Sequence, residues 1–105
     1  MNPAKVDRSD VQTLTDLPNV GKLIAADLVI LGIRKPSDLK GKDAWGLYEN
    51  LCIKTKQFHD PCVLDVFISL ENFTNGKKAK SWWEFTELRK KKFDRDIEKL
   101  RKYFS

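Results

Sequence analysis

The chain has 105 residues, 41% hydrophobic and 33% charged, with 4 prolines, 5 glycines and a formal net charge of +5. That length predicts one domain (1–105) able to bury its own core, and that composition excludes a disordered chain. No apolar run approaches the roughly 20 residues of a membrane span, and Met1–Asp7 lacks the apolar centre of a signal peptide, so the expected location is the cytoplasm with no membrane partner.

Residues up to about Asp10 are polar and read as a frayed end. Val11-Gln12-Thr13-Leu14 reads as a short first helix that closes before Pro18, because a residue preceding proline is driven out of the α region. The next helix is predicted over Lys22–Leu31, with Ile24, Leu28 and Leu31 recurring on one face. Gly32 stands where a left-handed cap is wanted, and Ile33 supplies the apolar contact that often follows. Pro36 opens a short turn through Leu39. Asp43 is an N-cap for a helix whose Ala44, Leu47, Tyr48, Leu51 and Cys52 form an amphipathic stripe.

Asp60-Pro61 repeats the pattern of cap followed by proline, and the helix it opens (60–74) presents Val63, Val66, Phe67 and Leu70 before Asn75-Gly76 turns the chain. Ser81-Trp82-Trp83-Glu84 has capping-box spacing, with Thr86 as a competing start, for a last helical segment over 81–104. Phe93, Ile97, Leu100 and Phe104 make one stripe of that segment, and its other faces carry Lys and Arg. The stripe should face the domain core; a partner helix or a second copy in a homodimer is the alternative cover. No segment alternates as a strand would, so the fold class is all-α.

The charge is uneven. From Lys77 to the end there are eleven Lys/Arg and five Asp/Glu, a net of +6, while the preceding residues carry nine and ten, a net of −1. A basic segment of this kind either attracts polyanions or is a solvated helix face. Two cysteines, Cys52 and Cys62, are expected as buried free thiols. His59-x-x-Cys62 with Cys52 suggests zinc, but the chain holds only these three Cys and His residues, so no metal is expected.

The most informative string is Leu17-Pro18-Asn19-Val20-Gly21-Lys22, continued by Leu23-Ile24-Ala25-Ala26-Asp27-Leu28. It resembles the helix-hairpin-helix signature, in which an apolar-Pro-Gly-apolar-Gly hairpin leads into a helix with a small residue on its packing face. Asn19 replaces the first glycine of that pattern, a mild departure because Asn tolerates the left-handed conformation. Ala25 aligns with the small packing residue. The module at 11–52, with Gly32-Ile33, Ser37-Asp38-Leu39 and Leu47-Tyr48, resembles proteins that pair two such units in a SAM-like helical domain, among them the C-terminal domain of TfoX-type competence regulators. The amides of Val20, Gly21 and Lys22 would meet a phosphate at a helix N-terminus, with the Asn19 turn and the Lys22 charge beside them. Leu39-Lys40-Gly41-Lys42-Asp43 offers a weaker second contact through Gly41 and Lys42. The other reading of the hairpin is a tight connection between packed helices.

The second half narrows the resemblance. His59-Asp60-Pro61-Cys62-Val63-Leu64-Asp65-Val66-Phe67, Trp82-Trp83-Glu84-Phe85-Thr86 and Arg89-Lys90 resemble the bacterial pathogenicity-locus family, some of whose members are labelled mitomycin-resistance proteins. The resemblance runs from about Leu14 to Lys90 and implies a helix-hairpin-helix protein with no established activity.

Together these features predict a DNA-binding or DNA-associated accessory protein that contacts double-stranded DNA through phosphates without reading bases. Arg89, Lys90, Lys91 and Lys92 are expected to reinforce it. A protein-interaction module that uses the C-terminal stripe is the alternative. Trp82-Trp83 beside Lys77, Lys78 and Lys80 could stack on exposed bases, but at most one of two adjacent indoles can be free, and at least one should anchor the core. No nucleophile has a readable base, and no glycine-rich loop cradles a nucleotide, so neither catalysis nor a cofactor is expected.

Overall fold

The computed structural model describes residues 5–105. Four helices carry the fold: α1 (Lys22–Ile30), α2 (Ala44–Thr55), α3 (Pro61–Thr74) and α4 (Thr86–Tyr103). Short 3-10 turns at Arg8–Asp10, Leu14–Asp16, Pro36–Leu39 and Trp82–Phe85 join them, and no strand occurs among the described residues. The protein is all-α.

Helix α3 is the axis of the core. Every residue from Leu64 to Leu70 is buried, which requires neighbours on all sides. Helix α2 supplies one wall with Ala44, Leu47, Tyr48, Leu51 and Cys52, all buried as their spacing predicts. Helix α4 supplies another: Ile97 and Leu100 are buried, and Phe93 and Phe104 pack against the same cluster. The stripe Phe93–Phe104 therefore faces the domain core, with Phe93 and Phe104 only partly buried at its two ends.

The helix ends follow the chain's own signals. Gly32 takes φ +84, while Gly32 N donates to Val29 O at 3.0 Å and Ile33 N to Leu28 O at 2.9 Å. This pair of bonds satisfies carbonyls that the end of α1 would leave unpaired. Helix α2 closes the same way through Lys56, a non-glycine residue at φ +57, with Gln57 N on Cys52 O at 3.1 Å. Asp43 caps α2 and Asp60 caps α3 ahead of Pro61. Both proposed starts near residue 81 are real: Ser81 N donates to Glu84 Oε2 at 3.0 Å and opens the turn Trp82–Phe85, and α4 proper begins at Thr86.

Two expectations at the N-terminal end change. The short helix from Val11 is a single 3-10 turn, Leu14–Asp16, because Asp16 Oδ2 reaches back to the amides of Gln12 and Thr13 and holds them outside the helix. Residues up to Asp10 are not all frayed either. The Arg8 guanidinium donates to Phe73 O and, at 2.6 Å, to Lys77 O, and it lies 3.9 Å over the Phe73 ring. A cation at the carbonyl end of α3 is favourable for both helix and ring. Residues 1–4, where fraying is also expected, lie outside the described residues.

Candidate nucleic-acid interface

The first intrahelical bond of α1 runs from Ala25 N to Gly21 O at 3.0 Å, so the amides that precede Ala25 have no acceptor inside the helix. Gly21 is the N-cap residue and supplies no side-chain cap, and the first turn carries no acidic residue. Gly21 is extended, with φ −96, and a Cβ built there meets no atom within 4 Å. The amides of Gly21, Lys22 and Leu23 therefore form an exposed, positively polarised end, with the Lys22 ammonium beside it. Leu23, at the same end, is 84% exposed.

Val20, expected among the contacts, is not free. Its side chain is buried, and its amide already donates to Leu17 O at 3.3 Å.

The starts of α2 and α3 are closed to anions. Gly46 N donates to Asp43 Oδ2 at 3.1 Å, and Ala44 N donates to Glu71 Oε1 at 2.7 Å. Two carboxylates thus occupy the end of α2 beside Gly41 and Lys42. A phosphate there would meet like charge, so the α2 start offers no open amides to support the second contact that the sequence suggests at Gly41 and Lys42. Gly41 does adopt φ +79, and Lys42 N closes the turn onto Leu39 O. At α3, Cys62 N donates to Asp60 Oδ1 at 2.8 Å, and that bond holds the Asp60 carboxyl below the ordinary carboxylate range.

Asn19 has a larger part than tolerance of its backbone geometry. It adopts φ +66, and its Nδ2 donates to Ser69 Oγ at 3.0 Å and to Lys80 O at 2.8 Å. Its Oδ1 accepts from Trp82 N at 3.2 Å. The side chain therefore clamps the turn before α1 to α3 and to the segment entering α4, and both of its donors are engaged. Asn19 positions the turn that opens α1, and its side chain is engaged inside the domain. The clamp also places the Lys80 backbone beside the α1 turn, although sixty-one residues separate Lys80 from Asn19 along the chain. No local pattern announces that contact.

The basic tail divides. Arg89 is turned inward: its Nε lies 2.9 Å from Oδ1 of Asp65, with side-chain exposures of 11% and 0%. Thr86 Oγ1 donates to the other Asp65 oxygen at 2.8 Å. Lys92 lines a recess of about 570 Å³ that also holds Asp43, Glu71 and Asp96. Lys90, Lys91 and Lys92 stand exposed and outside both ion pairs of the described residues. Of the four tail residues singled out from sequence, Arg89 alone is neutralised inside the domain.

The Cys/His group is structural. Tyr48 Oη donates to His59 O at 2.5 Å, His59 Nε2 is 2.7 Å from Thr55 Oγ1, and His59 N donates to Cys52 Sγ at 3.5 Å. His59 is half-buried. Burial pushes both thiols above their ordinary range; for Cys62, half-buried, the neighbouring Asp60 adds to the effect. Among the described residues no three His, Cys, Asp or Glu side chains converge as metal ligands. No described helix is long and apolar enough to cross a membrane.

Comparison with known proteins places the chain. It is 36% identical over 83 residues to the mitomycin resistance protein McrB of Streptomyces lavendulae, an alignment covering 79% of each chain. No solved structure matches it. The family model described as Cdd1, pathogenicity locus, matches residues 7–91, from before the Arg8 anchor to the exposed lysines of α4, and the chain belongs to that family.

Proposed function

We propose that this protein binds double-stranded DNA through backbone phosphates, without reading sequence, as a cytoplasmic accessory protein with no catalytic step of its own. The turn Leu17–Gly21 entering α1 acts as the hairpin of a helix-hairpin-helix module, with the Leu14–Asp16 turn reduced from a first helix. The observation that carries this is the contrast among helix starts. Helices α2 and α3 are capped by carboxylates, whereas α1 opens on Gly21 with no side-chain cap, no acidic residue and Lys22 at its first position. Unpaired amides at a helix N-terminus favour an anion, and such contacts position a protein on a duplex without specifying bases. Lys80, held beside the turn by Asn19, and the exposed Lys90 and Lys91 supply further positive charge. The name of the Streptomyces relative fits an accessory role of this kind and specifies no binding mode.

Binding to unrelated duplexes at low and higher salt is the test. Affinity should be the same for every sequence. If three phosphates are neutralised it should fall roughly fortyfold between about 50 and about 200 mM salt. A protein that holds no duplex at low salt, or that selects one sequence, is not a phosphate reader.

A further inference from the structure

Trp83 is an indole in an unusual position. It is 62% exposed, while its neighbour Trp82 packs against the core on the same 3-10 turn. The two rings meet edge to face, with centroids 5.7 Å apart and planes at 82°. This contact restrains the Trp83 ring, and with most of its surface in water at least one face is uncovered. Exposed lysines precede it in sequence at 77, 78 and 80. The Trp82 amide is bonded to Asn19 Oδ1 at 3.2 Å, so the turn carrying Trp83 is tied to the turn that opens α1. At about 3.8 Å per residue, Trp83 and Gly21 lie within roughly 20 Å of each other. At a rise of about 3.4 Å each, about six nucleotides cover that distance.

We propose that Trp83 stacks on an unpaired base, so that the preferred ligand is a duplex bearing a single-stranded extension. The duplex phosphate sits on the Gly21–Leu23 amides, and the extension passes Lys80 to reach the indole. This rests on the phosphate contact proposed above. A base inside a duplex is already stacked on both faces and must be unstacked at a cost before a side chain can reach it. An unpaired base carries no such cost, and any base has a π-face, so the selection is for DNA structure and not for sequence.

Fluorescence anisotropy with a blunt duplex, the same duplex with a single-stranded extension, and the extension alone tests both levels. Wild type should hold the extended duplex about tenfold more tightly than the blunt one. Trp83→Ala should lose that advantage and keep its affinity for the blunt duplex, while Trp83→Phe keeps most of the advantage. Circular dichroism confirms that the variants are folded. Equal binding of blunt and extended duplex by wild type, or an advantage that survives in Trp83→Ala, overturns the proposal and leaves the duplex contact standing. A protein that ignores the blunt duplex but binds the extension through Trp83 removes the duplex contact and supports the stacking. No binding to any of the three overturns both and assigns the indole to a protein surface.

Discussion

Arg89 and Asp65 form an inward-facing ion pair: the guanidinium Nε lies 2.9 Å from Oδ1 of a carboxylate with no exposed side-chain surface. With Thr86 Oγ1 on the other oxygen, the pair fastens the start of α4 to the middle of α3. The densest basic run of the chain, Arg89-Lys90-Lys91-Lys92, thus begins with a charge that is neutralised inside the domain.

Arg89→Ala would leave Asp65 buried with only a hydroxyl for company. Loss of one partner of a buried pair costs about 3–5 kcal/mol, so the variant should be severely destabilised in denaturant melts. Lys90→Gln with Lys91→Gln should change stability by no more than about 0.5 kcal/mol while flattening the salt dependence of DNA binding. An Arg89→Ala protein that melts like wild type would show that α4 is held by its apolar stripe alone.

Asn19 separates two requirements that are usually met by one glycine. Asn19→Gly keeps the left-handed backbone and removes the bonds to Ser69, Lys80 and Trp82. It should cost about 1–3 kcal/mol. Asn19→Ala should cost about 1–2 kcal/mol more, since it adds the left-handed penalty. Melting midpoints ordered wild type, Gly, Ala are expected, with the near-ultraviolet tryptophan signal weakened in both variants. If Gly matches wild type, the side-chain clamp contributes nothing to stability.

Gly21→Val tests the α1 contact with little risk to the fold. The residue is extended, and a Cβ there meets no neighbour within 4 Å. The substitution should therefore leave the melt within about 1 kcal/mol of wild type while placing a branched side chain where a phosphate would approach. Lys22→Ala should lower the salt slope by about one unit. Folded variants that grip duplex as tightly as wild type, with the same slope, would end the case for this helix start.

Lys56 is held at φ +57 to close α2, on an exposed site outside both ion pairs of the described residues. Lys56→Gly should raise stability by about 1 kcal/mol, because glycine takes the left-handed cap without steric cost. A matched loss from Gly32→Ala, measured in the same denaturant, would confirm that the backbone angle is responsible. A Lys56→Gly variant less stable than wild type would mean that the lysine side chain stabilises the turn.

The local signals determined the helices almost by themselves. Asp43 and Asp60 as caps, Gly32 after α1, Pro36 and Pro61 at their turns, and the stripes of α2 and α4 all lie where the sequence predicts, because capping and periodicity involve residues within a few positions of one another. Which polar groups remain free was decided only by tertiary contacts. Glu71 reaches Ala44 across 27 positions, Asp65 captures Arg89 across 24, and Asn19 reaches Lys80 across 61. Those three bonds close the start of α2, withdraw one tail cation and bring a distant lysine to the α1 turn. A charge run or a glycine-lysine pair records which groups exist. Whether each stays open to a phosphate depends on partners that only the folded chain brings within hydrogen-bond distance.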